Sequence, residues 1–156
     1  MKLKKLISLF ITVMLVVGMF STVSAASFPD LESRHSWAKD AIDNMVSRGI
    51  LKGYTDGTFK PDRAVTHMET LIIAARIMGV DEVENEEYRE VALNRYESVL
   101  ASYDISYKAE VAYLLYTGVL TTDELSNYIS NSAKNQALKR YEAAVLLTKL
   151  VGGEKD

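Results

Sequence analysis

The chain contains two copies of one helix–loop–helix pattern, and this internal repeat constrains the fold more than any other feature. The segment 41–51 aligns with 110–120 at an offset of 69 residues, and 66–79 aligns with 139–152 at an offset of 73. Each copy has a helix ending at a glycine, an apolar pair, a loop and a second helix that also ends at a glycine. Units of this kind cannot bury their apolar faces alone, so we expect the copies to pack together.

Apolar residues at three-to-four spacing predict an all-α protein, because no stretch shows sustained two-residue alternation. Three helices are predicted to begin at about Ser36, Thr66 and Tyr88. Three more are predicted to span about 107–116, 123–129 and 133–151. Thr66 and Glu69 have the spacing of a capping box, in which each side chain accepts a hydrogen bond from a free amide of the first turn. Lys139 replaces the cap threonine in the second copy, so the last helix is expected to start upstream, near Ser132 or Asn135.

The first 25 residues are typical of a secretory signal peptide. Three lysines precede an apolar run over 6–20, and the small residues at 23–25 suit cleavage before Ala26 or one residue later. The run is shorter than the roughly 20 residues that a membrane-spanning helix needs. An uncleaved membrane anchor is the less favoured alternative, because no charged stop-transfer flank follows the run. The mature protein is therefore predicted to be exported, with no membrane association after cleavage.

Charge and composition exclude several function classes. Removing the three signal lysines from 18 basic residues leaves 15 against 21 acidic ones, a net charge of −6. Such a chain is not expected to bind nucleic acid by bulk charge, so any anionic ligand would be held by a few placed cations. The chain has no cysteine and only two histidines. We therefore expect no disulfide, catalytic residue, metal site or cofactor, and any attachment to the cell is expected to be non-covalent.

A spaced set of positions in the first copy forms a specific signature. Its members are Phe28-Pro29-Asp30, Trp37-Ala38, Gly49-Ile50-Leu51, Gly53-Tyr54, Asp56-Gly57-Thr58-Phe59, Pro61, Thr66 and Glu69. In order and spacing they resemble an S-layer homology domain. The resemblance divides the chain into a signal peptide at 1–25, a first repeat at 27–80, an acidic linker or helix start at 81–92, and a degenerate second repeat at 93–153.

The resemblance implies a secreted, non-enzymatic protein that binds a secondary cell-wall polysaccharide, commonly through a pyruvylated sugar, on a Gram-positive-type bacterium. Such domains usually occur in threes, as a pseudo-trimer with ligand grooves between repeats. Two repeats imply a partial pseudo-trimer, which a homo-oligomer or other proteins of this family could complete. The alternative is a protein–protein interaction or assembly module at the cell surface that has lost glycan binding.

The family's T-R-A-E motif places an arginine at the groove, where its planar fork suits a carboxylate. The first copy has His67 at that position and the second has Arg140. Arg140 is the leading candidate for ligand contact, and the alternative is a solvated arginine on a helix surface. The candidate glycan-binding residues are Arg140, His67, Trp37, Tyr54, Asp56, Gly57, Thr58 and Glu69.

Several candidates also have simpler interpretations. His67 is either a pH-dependent cation at the site or an exposed residue of the first helical turn, and the second interpretation is favoured. Trp37 either stacks on a sugar or belongs to the core, and its place on the apolar face of the first helix favours the core. Asp56 is expected to hydrogen-bond within its own turn rather than bind calcium.

Overall fold

The computed structural model describes residues 28–31 and 33–152, and within them it contains helices and turns but no strand. The α-helices are α1 (Ser36–Ser47), α2 (His67–Ile77), α3 (Glu86–Leu100), α4 (Lys108–Tyr116), α5 (Leu125–Ile129) and α6 (Arg140–Val151). Short 3₁₀ turns precede α1, α3 and α5. The predicted all-α class is confirmed. The predicted signal peptide lies outside the described residues, and no helix among the described ones has the length and apolarity to cross a bilayer.

The core is centred on α4, whose residues Val111, Ala112 and Leu114 are fully buried. Helices α2 and α3 pack against α4. Leu71 of α2 and Leu146 of α6 belong to the same buried cluster, so both copies contribute to one core. This arrangement agrees with the expectation that neither copy can bury its apolar face alone.

Helix α1 is held to the rest of the described chain by few buried side chains. Ile42 is its only buried residue among those described, and Met45 and Val46 are half-buried. Trp37 is 86% exposed, so the interpretation of Trp37 as a core residue is wrong. Trp37 lies in the first turn of α1, and no described element extends far enough to cover it. Periodicity identified the apolar face but could not show how far the neighbouring elements reach.

Helix α6 begins at Arg140, so the expected start near Ser132 or Asn135 is wrong. Lys139 is extended at the N-cap, and its backbone N–H donates to Glu142 Oε2 at 2.8 Å. This bond is one of the two bonds of a capping box, and a threonine at the N-cap would supply the other. The residues before Lys139 do not continue the helix because their backbone groups are bonded to the first copy.

The two copies meet at a short backbone seam. Three bonds form it: Leu138 N–H to Val65 O (2.8 Å), His67 N–H to Gln136 O (3.0 Å) and Met68 N–H to Lys134 O (3.1 Å). Thr66 and Ala137 face each other in an isolated antiparallel bridge between the first two bonds. The seam therefore joins the beginning of α2 to the chain that leads into α6.

Candidate functional site

A groove of about 560 Å³ lies beside the seam, between the beginning of α2, helix α5 and the beginning of α6. Hydroxyl, amide and phenol groups dominate its lining, among them those of Asn127, Tyr128, Ser130, Ser132, Gln136 and Tyr141. We call this feature the inter-repeat groove. Hydroxyls and amides can pair with sugar hydroxyls, and a tyrosine ring can lie against the apolar face of a sugar.

His67 lines the groove but is only 6% exposed, so the interpretation of an exposed first-turn residue is wrong. Its Nδ1 lies 3.1 Å from the carbonyl oxygen of Ala133, and its Nε2 lies 3.0 Å from Glu142 Oε2. Both neighbouring atoms are oxygens from the second copy, so each ring nitrogen of His67 has a hydrogen-bond partner across the seam.

Glu142 accepts hydrogen bonds from three donors. These are the His67 ring, the Lys139 backbone N–H and the Tyr141 hydroxyl, the last at 3.1 Å from Oε1. The hydrogen bond from His67 is the main cause that holds the pKa of Glu142 at about 2, below its usual value. The carboxylate is therefore ionised at neutral pH. Its role in this arrangement is to join the repeats.

Arg140 lies between two residues that line the groove, Lys139 and Tyr141, but its own side chain does not line it. Arg140 is exposed, and within the described part of the chain its guanidinium forms no hydrogen bond or ion pair. Lys139 Nζ lies 5.7 Å from the centre of the Tyr141 ring. The two residues at the arginine position of the motif thus differ. Both ring nitrogens of His67 are bonded across the seam, whereas the guanidinium of Arg140 has no partner among the described residues.

The first-copy loop forms a second cluster of candidates around Tyr54. The Tyr54 hydroxyl donates to Glu69 Oε1 at 2.9 Å, and the Arg63 guanidinium donates to the same oxygen at 2.7 Å. The other Glu69 oxygen accepts from the Thr66 backbone N–H at 2.9 Å, which completes the predicted capping box. Burial raises the pKa of Tyr54. Glu69 therefore caps α2 and tethers the loop.

At the tip of this loop, Asp56 organises the turn as expected. Its Oδ1 accepts from the backbone N–H of Thr58 at 3.1 Å and from the Thr58 hydroxyl. Its Oδ2 lies 2.8 Å from Lys60 Nζ, and the bond to Lys60 is the main cause that lowers the pKa of Asp56 far below its usual value. Gly57, between Asp56 and Thr58, is exposed at the outer end of the turn.

The segment 28–30 supports the same loop from inside. Asp30 accepts hydrogen bonds from the backbone N–H groups of Phe59 (2.9 Å) and Lys60 (2.6 Å), and the Phe59 bond is the first cause that lowers the pKa of Asp30. The rings of Phe28 and Phe59 pack with their centres 5.2 Å apart. Gly53 has φ +66, and a Cβ on it would overlap the Phe28 ring. Glycine is needed there for both reasons.

The structure thus separates the predicted site residues. His67 lines the groove, Arg140 lies beside it, and Trp37 is exposed on α1. The remaining candidates form the loop cluster: Tyr54, Asp56, Gly57, Thr58 and Glu69.

Tyr128, Tyr141 and Gln136 line the groove but were not candidates. Only the backbone seam shows that this part of the second copy faces α2, so local sequence gave no sufficient signal for these residues.

Comparison with known proteins relates part of the chain to a family. The S-layer homology domain family matches residues 27–71. The outer membrane protein SlpA of Deinococcus radiodurans is 49% identical over 59 residues, which are 36% of this chain and 5% of that protein. An S-layer protein of Bacillus licheniformis is 36% identical over 84 residues, and the S-layer protein EA1 of Bacillus anthracis is 34% identical over 84; in both cases these are 53% of this chain and 10% of the relative.

The chain therefore spans only a small part of the relatives that it matches. No solved structure matches the chain. The family match covers the loop cluster and His67, whereas Arg140 and most of the groove lie beyond it.

Proposed function

From the S-layer homology domain that this chain carries at residues 27–71, we propose that the protein is a non-catalytic, non-covalent anchor at the bacterial cell surface that binds a secondary cell-wall polysaccharide. The domain match and the names of the relatives, which are S-layer and outer membrane proteins, support a role at the cell surface. Because those names include both kinds of protein, assignment to a Gram-positive-type wall stays a prediction.

The inter-repeat groove is the glycan site in this proposal. The observation that carries it is the meeting of a polar, tyrosine-bearing groove with an open cation, since Arg140 adjoins the lining residues Lys139 and Tyr141. Tyr128 and Tyr141 offer rings for a sugar face, and the amides and hydroxyls offer hydrogen bonds. His67 shapes the groove wall, because both of its nitrogens are already bonded.

Arg140 indicates which class of ligand the groove would bind. A pyruvylated sugar carries a carboxylate, and a guanidinium can hold both oxygens of a carboxylate at once. Lys139 adds a second positive charge on the groove itself. An anionic polysaccharide would then be selected by two placed cations, although the mature chain as a whole is predicted to be acidic.

Further contacts along a polymer are proposed at two exposed places. The loop tip at Asp56, Gly57 and Thr58 is exposed or half-buried, whereas Tyr54 and Glu69 are bonded to each other and to Arg63. Trp37 presents an exposed indole on α1 that could stack on a sugar ring. These residues would add affinity without deciding the charge of the ligand.

The second candidate function is a protein interaction or assembly module at the cell surface. Exposed apolar side chains on α6 favour it, including Val145, Leu147 and Val151. A protein that has lost glycan binding would retain this surface. In that case the exposed guanidinium of Arg140 would have no ligand.

Cosedimentation with purified cell-wall sacculi separates the two functions. The exported, processed chain is expected to pellet with untreated sacculi and to pellet less after pyruvyl groups are removed. Arg140→Ala is expected to weaken pelleting, whereas Arg48→Ala, which removes an exposed arginine at the end of α1, is not. Absent binding, or binding that neither pyruvyl removal nor Arg140→Ala reduces, would reject the anionic-glycan site.

A further inference from the structure

We infer that the Asp56–Gly57 peptide is a site of covalent self-modification, at which aspartate converts to isoaspartate, and that Lys60 is a clamp that restrains this conversion. The reaction needs no enzyme and no reactant other than water. It is confined to one place in the sequence, because Asp56 and Gly57 form the only Asp-Gly pair of the chain, which has no Asn-Gly pair. The inference rests on the geometry of the first-copy loop and does not depend on the proposed wall binding.

The conversion proceeds through a five-membered succinimide ring. The backbone nitrogen of Gly57 bonds to Cγ of Asp56, and the amide hydrogen and the carboxyl hydroxyl leave together as one molecule of water. Water then opens the ring. When it cleaves the bond between this nitrogen and the backbone carbonyl carbon of Asp56, the chain continues through the side chain as isoaspartate. The product has the same atoms as the original peptide and one additional methylene in its backbone.

The described part of the chain does not cover this peptide. Gly57 is exposed, and a Cβ placed on it would meet nothing within 4 Å beyond its chain neighbours. The Asp56 side chain is 51% exposed, so water can reach the ring. Because glycine has no side chain, its nitrogen is also open to the neighbouring carboxyl group. Steric cover therefore does not restrain the reaction.

The turn depends on both residues of the pair. Gly57 has φ +81, which suits glycine. Asp56 Oδ1 accepts from the Thr58 backbone N–H at 3.1 Å, a bond by which aspartate stabilises a turn. The loop is closed by two backbone bonds, from Tyr54 N–H to Thr58 O at 2.8 Å and from Gly57 N–H to Tyr54 O at 3.0 Å. Restraint of the reaction must therefore come from the contacts of the pair.

Both reacting groups are engaged in the folded loop. The Gly57 nitrogen must give up its hydrogen, which is bonded to the Tyr54 carbonyl oxygen. The Asp56 carboxyl group must be neutral, because an ionised carboxylate has no hydroxyl to lose. Lys60 Nζ lies 2.8 Å from Asp56 Oδ2, and this bond is the main cause that lowers the pKa of Asp56 far below its usual value. Lys60 thus keeps the carboxyl group in its unreactive form.

Lys60 has an unfavourable backbone conformation. Its φ is +57, and it is the one residue other than glycine with a positive φ in the described chain. Glycine and asparagine suit this conformation better than lysine does. The Lys60 backbone N–H donates to Asp30, and its ammonium lies 4.4 Å from the centre of the Tyr54 ring. A strained residue of this kind indicates that its side chain has a role, and here the ammonium bonds Asp56.

Conversion of Asp56 would open the tip of the loop. The additional methylene lengthens the chain between Tyr54 and Thr58, whose backbone groups are bonded to each other. The former side-chain carbon becomes part of the backbone, so the bonds from Asp56 to Thr58 and Lys60 are lost with it. The modified fraction would grow with the age of the protein, and its growth would be limited by the clamp.

Prolonged incubation of the exported, processed chain at one fixed, mildly acidic pH tests the inference. Peptide mapping by mass spectrometry separates the two forms of the peptide that contains Asp56, and endoproteinase Asp-N cleaves only before aspartate. Lys60→Asn removes the ammonium and suits the backbone, so isoaspartate is expected to form several-fold faster than in wild type. Lys60→Arg retains a cation and should stay near the wild-type rate. Lys39→Asn, which removes the lysine of the similar pair with Asp43, is the matched control.

The unfolded chain gives the rate without the clamp. In concentrated urea, wild type and Lys60→Asn are expected to form isoaspartate at Asp56 at similar rates, faster than the folded wild type. The inference would be overturned by a folded Lys60→Asn variant that reacts no faster than wild type, by Lys60→Arg reacting as fast as Lys60→Asn, or by no isoaspartate in any sample. If chymotrypsin cleaves Lys60→Asn after Phe59 faster than wild type, Lys60 holds the loop as a whole, and the clamp is likewise rejected.

Discussion

His67 of α2 and Glu142 of α6 are joined across the seam, with Nε2 of the histidine 3.0 Å from Oε2 of the glutamate. Each residue lies in the first turn of the second helix of its own repeat. One pair of side chains thus connects the first turns of two equivalent helices and forms part of the groove lining. The stability of the seam and the shape of the groove should therefore respond together to pH.

Acidification is expected to weaken the seam through Glu142. The folded state lowers the pKa of Glu142 from 4.5 to about 2, mainly through His67. A lowered pKa contributes stability that is present above about pH 4.5 and is lost as pH falls toward 2. Glu142→Gln should reduce the stability at neutral pH and flatten its dependence in this window. Urea unfolding midpoints at several pH values measure both effects.

Other carboxylates with lowered pKa values, such as Asp30 and Glu124, act in the same direction. The informative quantity is therefore the difference between the variant and wild type. Glu90→Gln, which changes an exposed position on α3, is the matched control. An unchanged pH profile for Glu142→Gln would contradict the assigned role of Glu142.

Leu114→Ala is expected to destabilise the whole chain, because Leu114 is fully buried in α4 at the centre of the shared core. Such a substitution removes buried apolar surface and leaves a cavity, at a cost of about 2–5 kcal/mol. Leu147→Ala on exposed α6 should change the free energy of unfolding by less than about 0.5 kcal/mol. Chemical denaturation gives both values. Two separate transitions would show that the copies do not share one core.

Gly53→Ala and Gly57→Ala separate backbone strain from steric overlap. Both glycines have positive φ, +66 and +81, so either substitution strains the backbone by about 1 kcal/mol. Only at Gly53 would the added Cβ meet the Phe28 ring, whereas nothing lies near it at Gly57. Gly53→Ala should therefore cost more stability than Gly57→Ala. Thermal unfolding of the two variants measures the difference, and equal losses would exclude a role for Phe28.

Asp30→Ala is expected to loosen the loop that contains Tyr54 and Asp56. The Asp30 carboxylate accepts the backbone N–H groups of Phe59 and Lys60, and the substitution would leave both without this acceptor. Limited chymotrypsin digestion should then cleave after Phe59 faster than in wild type. Asp123→Ala changes an exposed acidic residue elsewhere and should leave the rate unchanged. Equal rates for all three proteins would show that Asp30 does not hold the loop.

Local chemistry made part of the fold predictable. The period of the apolar residues indicated the helices, and the Thr66–Glu69 spacing gave the capping box that the structure contains. The turn around Asp56 also formed as expected, since its bonds join residues two to four positions apart. Each of these features depends on neighbours that are close in the sequence.

Long-range contacts decided the features that the sequence did not predict. His67 is buried by residues that lie 66 and 75 positions away, and α6 starts late because the preceding chain bonds to the first copy. Trp37 is exposed because the neighbouring elements do not reach it. The candidate groove also depends on long-range contacts, because its walls come from both copies and no local sequence pattern indicates that Tyr128 lies near α2.

The weak attachment of α1 has a consequence for how the molecule opens. Ile42 is the buried residue that ties α1 to the rest of the described chain, whereas α4 is buried along a continuous run at 111–115. Amide hydrogens of α1 should therefore exchange with solvent through a small local fluctuation, and those of α4 only when the whole molecule unfolds. A tension applied from the amino-terminal side would first break the contacts of Phe28 and Asp30 with the first-copy loop and then detach α1, and it would leave the union of the two repeats undisturbed.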